Sequence, residues 1–185
     1  MSKPTEPAGK ILVWDPLVRV FHWGLAASIG VAWLTSGHPK GLHQWAGYVA
    51  GALILIRIGW GLFGPGHARF LSFVRGPEVT LGYLRDIARG AERRHIGHNP
   101  AGGAMVVALI ATVAAQVTVG WLQTTDTFWG VEWIEVLHAA LARQILVLVA
   151  LHLAGVLIAS LRHRENLPLA MITGHKREAE GDDVA

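Results

Sequence analysis

The sequence predicts an all-α fold, an integral membrane four-helix bundle with both termini cytoplasmic. Three observations predict it. The chain is 52% hydrophobic and only 16% charged, where a soluble domain carries about 25% charged residues; mean hydropathy is +0.39. Long stretches nearly lack charge: none between Arg19 and Lys40, only Arg57 between Lys40 and Arg69, none between Arg94 and Asp126, and only Arg143 between Glu135 and Arg162. Lys and Arg are also divided unevenly among the connections, as the orientation rule for membrane helices requires.

Each charge-poor stretch is long enough to cross a bilayer, and the expected spans run over about 17–36, 42–64, 101–123 and 136–161. Asp15-Pro16 reads as an N-cap followed by proline at the first helical position, and Asn99-Pro100 repeats that signal before the third span. Gly64-Pro65-Gly66 stops the second span. The connection over 65–99 is long, and Val79, Leu81, Leu84, Ile87 and Ala88 predict a short amphipathic surface helix near 77–90. Residues 178–185 are charged and read as a flexible tail after a membrane domain spanning 1–177.

Orientation follows from the positive residues. Lys3, Lys10 and Arg19 precede or open the first span, Arg69, Arg75, Arg85, Arg89, Arg93 and Arg94 fill the middle connection, and Arg162, Arg164, Lys176 and Arg177 follow the fourth span. The first short loop has only Lys40, and the third has Asp126, Glu132 and Glu135 with no Lys or Arg. The long connection and both termini are therefore expected in the cytoplasm. This also accounts for a net charge of +3 without nucleic acid as a partner. The eight tryptophans suit either an interfacial belt or core packing. The chain has no cysteine, which excludes disulfides, thiolate-held iron–sulfur clusters and c-type haem attachment.

An ionisable side chain at membrane depth marks a candidate functional site, and His22, His43, His138 and His152 lie in or at the edge of the spans. His138 and His152 are 14 residues apart, about four turns or ~21 Å of rise, so they share a helix face at different depths. The topology then pairs the depths. His22 and His152 fall toward the cytoplasm, and His43 and His138 toward the outside. Low-spin haem iron takes one axial ligand on each face, so two such pairs predict two haem b groups, one above the other. On the second span Gly47 and Gly51 follow His43 at helical spacing; this either admits a flat macrocycle or packs helices. Arg57 is placed to meet a propionate of the inner haem or to snorkel to the interface. Arg143 is placed to meet an outer propionate or an acidic loop residue. The other histidines, His38, His67, His95, His98, His163 and His175, fall in loops or at helix ends and are expected to be mostly solvated.

These residues resemble the prokaryotic cytochrome b561 family, which is related to the b-type cytochrome subunits of nickel–iron hydrogenases. The likeness rests on WDPLVRVFHW (14–23), LHQWAGY (42–48), RIGWGLFG (57–64), HARF (67–70), FVRGP (73–77), YLRD (83–86), GHNPAGGAMV (97–106), LHAALA (137–142), HLAGV (152–156) and HRENLPLAMITGHKR (163–177). The resemblance implies a di-haem membrane cytochrome with axial pairs His22/His152 and His43/His138. It further implies location in the bacterial inner membrane and electron exchange between the quinone pool and a periplasmic redox protein, such as a c-type cytochrome. A superoxide:ubiquinone oxidoreductase and a hydrogenase-type anchor subunit are the alternatives, so whether the chain is itself an enzyme stays open. A homodimer is compatible with the sequence. The family often has a small polar residue where this chain has Arg143.

Overall fold

The structure is a computed structural model that describes residues 9–36 and 40–184. The elements are β1 (Lys10–Leu12), α1 (Pro16–Leu34), α2 (Lys40–Phe63), a 3-10 turn (Gly66–Ala68), α3 (Phe70–Phe73), α4 (Pro77–Arg89), α5 (Pro100–Leu122), α6 (Glu132–Arg162), α7 (Leu167–Thr173) and β2 (His175–Arg177). Four of these, α1, α2, α5 and α6, are long and apolar enough to cross a membrane.

The expected start signals act as caps. Asp15 Oδ1 accepts from the Val18 N–H at 3.0 Å and Asn99 Oδ1 from the Gly102 N–H at 2.7 Å. Pro16 and Pro100 occupy the first helical position, where a missing N–H costs no helical bond. α6 starts at Glu132, four residues before the expected span. Glu132 and Glu135 sit in its first turn, where carboxylates favour the positive end of the helix dipole. Charge marked the end of the apolar span but not the end of the helix. At 31 residues, α6 is ~46 Å long against a hydrocarbon core of ~30 Å.

The backbones pack closely in the order α1 on α2, α2 on α5, and α5 on α6, whereas α6 approaches α1 and α2 less closely. The bundle is therefore open along the seam between α6 and the α1/α2 pair. Phe21, Ala50, Ile54, Val113 and Ile145 form one buried apolar layer across it, with Phe21 beside His22 in sequence and Ile145 midway between His138 and His152. Gly51 lets α2 and α5 meet there: a Cβ on it would lie 2.9 Å from Val117 Cγ1.

The end of the bundle that carries both termini is closed by a second apolar cluster of Val13, Trp14, Val18, Ala68, Ile96 and Ala170. Over it, β1 pairs antiparallel with β2, Ile11 opposite Lys176. This small sheet departs from the all-α expectation. It has three residues per strand, too few for a periodic signal. Arg94 organises the same end. It is 5% exposed and donates to Glu165 Oε1 at 2.8 Å, to the Arg177 carbonyl at 2.7 Å, to the Glu178 carbonyl at 3.3 Å, and to Asp183. Lys176 Nζ lies 3.2 Å from Glu165 Oε2 and donates to the His95 carbonyl at 3.0 Å. Residues 178–184, where the sequence suggests a flexible tail, are bonded into this assembly. The Val184 N–H donates to the Arg94 carbonyl at 2.8 Å, and the Ile96 N–H to the Val184 carbonyl at 2.9 Å.

The surface helix α4 forms over Pro77–Arg89 and ends at Gly90 in the left-handed region, φ 69°. Tyr83 is its buried anchor, donating to the Arg93 carbonyl at 3.2 Å. Val79, Leu81 and Leu84 stay exposed, which suits an interfacial helix.

Removing Glu165 leaves two buried cations short of their shared carboxylate. Glu165→Ala is expected to lower stability by about 3–5 kcal/mol, read as an earlier thermal melt of the detergent-solubilised protein by circular dichroism. Burial raises the Glu165 carboxyl, but bonds and charge from Arg94 and Lys176 outweigh it and hold it below its ordinary value. A depressed carboxylate stabilises above its unfolded pKa, about 4.3, and that contribution disappears as pH falls through the native value. The difference between wild type and variant should therefore shrink in strong acid. A variant that melts with wild type at neutral pH would show the clasp to be dispensable.

Candidate functional site

The open seam is where the membrane histidines meet. α1 carries His22, α2 carries His43 in its first turn, and α6 carries both His138 and His152. His22 and His152 face each other with ring centroids 6.2 Å apart and planes at 51°. His43 and His138 do the same at 6.1 Å and 71°. Each pair bridges two helices that do not pack closely together. Ile145 of the apolar layer lies seven residues from each α6 histidine, so the layer separates the two pairs.

The imidazoles are oriented by what they touch. His43 Nδ1 donates to the Ala32 carbonyl at 2.7 Å, which leaves Nε2 with its lone pair free. His138 packs on the backbone of α5, for a Cβ on Gly120 would lie 2.9 Å from its Cε1. Gln116 Nε2 sits 3.1 Å from His138 Nε2. The Nδ1 atoms of His22 and His138 and Gln116 Oε1 are buried without a partner. Buried polar atoms are rarely left so, and here three cluster on the two pairs.

A cavity of about 640 Å³ surrounds the His43/His138 pair, within the range of small-molecule and cofactor sites. Its floor is Ala50, Val113 and Ile145 of the apolar layer, and Trp33, Trp121, Trp129 and Glu135 also line it. Gly47 opens onto this cavity, with nothing within 4 Å of a Cβ placed there. The two glycines of α2 thus differ, since Gly51 is spent on packing against α5. Arg143 lines the cavity, and among the described residues it makes no salt bridge. Arg57 does not reach the surface. It is 2% exposed, lies 4.9 Å from the Phe70 ring centre and 5.9 Å from that of Phe21, and donates to the Ala68 carbonyl at 3.0 Å.

Sequence reasoning missed Gln116 and Gly120, which touch a candidate only across α5 and α6 and so leave no signal in local spacing. It also placed His98 among solvated loop histidines. His98 instead packs against Trp14 at 4.7 Å and Phe73 at 4.5 Å between ring centroids, and its Nδ1 is buried without a partner. Burial, and next the charge of Arg57, lower it to about 3. His38 lies outside the described residues.

The model of the family described as prokaryotic cytochrome b561 matches residues 13–174. The chain belongs to that family. It is a multi-pass membrane b-type cytochrome, a haem protein of electron transfer. The match takes in all four membrane histidines, Arg57 and Arg143, and stops before the tail. No curated protein and no solved structure matches this cytochrome.

Burial, with Arg57 nearby, pushes the native His98 down to about 3, whereas an unfolded histidine titrates near 6.5. The unfolded state therefore binds more protons in that window, and stability falls as pH drops through it. His98→Phe is expected to flatten that loss of melting temperature between about pH 6.5 and 4, where wild type declines. A variant as acid-sensitive as wild type would assign the loss to other groups.

Proposed function

We propose that this cytochrome holds two haem b groups at different depths, and passes electrons through them between the quinone pool and a periplasmic redox protein such as a c-type cytochrome. The observation that carries the reading is the separation within each histidine pair. A ligating imidazole nitrogen sits about 2 Å from a transition metal and about 1.1 Å from its own ring centre, so two rings flanking one metal have centres about 6.2 Å apart. The observed 6.2 and 6.1 Å fit one iron in each pair, His22/His152 at the inner level and His43/His138 at the outer. When bound, haem supplies an iron that gains or loses one electron.

The remaining assignments concern what the side chains do. The Ala32 carbonyl holds His43 in the tautomer that ligates through Nε2. Ligation by His138 through Nε2 asks Gln116 to release that nitrogen. Arg57 has five N–H donors and one hydrogen bond among the described residues, so it can bind an inner propionate. Arg143 is the matching candidate for the outer one. Gly47 leaves room for a flat ring, and the layer of Ala50, Ile54, Val113 and Ile145 keeps water from between the levels. With both termini in the cytoplasm, the chain sits in the bacterial inner membrane, and Asp126, Glu132 and Glu135 face the periplasm. That acidic loop suits a partner with a basic rim and disfavours an anionic donor such as superoxide.

The test is a pyridine-haemochrome titration of the purified protein. Wild type is expected to bind two haems per chain, and His152→Ala and His138→Ala about one each, losing different midpoint potentials. A folded, haem-free wild type would overturn the reading. Gly120→Val is expected to behave as His138→Ala does, because its side chain would occupy the place of the His138 ring. Retention of both haems in that variant would mean that ring position is not required.

A further inference from the structure

A second cavity, of about 490 Å³, opens at the end of the bundle that carries the termini. Its walls are the turn after α4, residues 90–94, the end of α6, residues 162–164, and Arg177, Asp182 and Asp183. Five arginines and three carboxylates line it, and the pairing among them is incomplete. Arg162 is taken by Glu92 at 2.7 Å, and Arg94 by Glu165 and Asp183. Three guanidiniums keep donors to spare. Arg93 uses Nε alone, on the Asp182 carbonyl at 2.6 Å. Arg164 makes no hydrogen bond or ion pair among the described residues. Arg177 reaches Glu180 only at 3.8 Å, and its Nε is buried without a partner. Against these stand Asp182, whose carboxylate makes no bond among the described residues, and Glu92 Oε2, which is buried without a partner.

The setting narrows what would fill it. Arg164 has φ 50°, in the left-handed region that few residues with a Cβ adopt. Arg162 also donates to the Ile87 carbonyl at 2.6 Å, which ties the end of α6 to the last turn of α4. The cavity is thus fixed beside a helix whose Val79, Leu81 and Leu84 are exposed, at the level where an interfacial helix meets lipid headgroups. Converging arginines favour tetrahedral oxyanions, whose oxygens accept charge-assisted bonds from several guanidinium edges. A basic pocket beside the cytoplasmic ends of membrane helices suits a phosphate.

We propose that this cavity binds a phosphate group, presented by an anionic phospholipid headgroup or by a soluble phosphate compound. The competing role for the arginines is to neutralise the negative ends of the α4 and α6 dipoles and the three carboxylates, which needs no ligand.

The experiment uses the full-length cytochrome in phosphate-free detergent. It is titrated separately with inorganic phosphate, with mixed micelles containing cardiolipin, and with micelles containing phosphatidylcholine. The readouts are melting temperature and native mass spectrometry of bound species. Arg164→Gln and, independently, Arg93→Gln remove spare donors while leaving the Arg94 and Arg162 pairs intact, and haem content serves as the check that each variant folds. Stabilisation by cardiolipin but not by phosphatidylcholine, weakened about tenfold by either variant, supports a lipid headgroup. Stabilisation by inorganic phosphate with the same sensitivity supports a soluble phosphate. Binding of neither probe, or equal binding by wild type and both variants, overturns the proposal and leaves the arginines to the helix ends.

Discussion

The rest of this structure depends on a gap. A four-helix bundle ordinarily closes its core by packing apolar side chains from all its helices. Here α6 stays away from α1 and α2, and the seam between them holds two pairs of imidazoles about 6 Å apart. Apolar residues in place of the imidazoles would let the helices close at those two levels as well, as they do at the layer of Phe21, Ile54 and Ile145. Imidazoles that face one another there, with the Nδ1 atoms of His22 and His138 unpartnered, keep the seam polar. The close α1–α2, α2–α5 and α5–α6 contacts supply the cohesion that α6 forgoes on its other face.

The apolar layer interrupts the seam, and its ends must be stoppered as well. At the end with the termini this is done by polar bonding as well as apolar packing. Arg94 reaches Glu165 after α6, the backbone of β2 and the last residues of the chain, and so joins segments more than 70 residues apart in sequence. Glu165 is the hinge of this network, because it also receives Lys176. Buried charges at this density hold only as a set, which is why a tail rich in Asp and Glu follows a fixed path.

Legibility of the sequence followed the range of the forces involved. The spans were readable because the bilayer tolerates little charge, so Arg19, Lys40, Arg94 and Asp126 bracket apolar runs without reference to anything distant. The histidine pairs were readable because span direction alone ranks His22, His43, His138 and His152 by depth. Other features depend on what lies across the fold. Glu132 and Glu135 lengthen α6 instead of ending it, since they interact with its dipole. His98 looks like a loop histidine until Trp14 and Phe73 are brought against it. Gln116 and Gly120 matter only through their nearness to His138. The β1–β2 pairing joins residues near opposite ends of the chain, and nothing in Lys10–Leu12 points to His175–Arg177.

The apolar layer between the two histidine levels has an electrical consequence. His138 and His152 are about 21 Å apart along α6, a large part of a ~30 Å hydrocarbon core, and Ile54, Val113 and Ile145 between them carry no group that titrates. On the proposed route a charge crosses this layer with no compensating ion beside it. Moving one elementary charge through the whole membrane field is worth about 2.3 kcal/mol per 100 mV, and about two-thirds of that applies to a 21 Å step. An electron going outward descends an inside-negative potential, and one going inward climbs it. Transfer by the proposed route would therefore be electrogenic, with the energised state of the membrane biasing its direction.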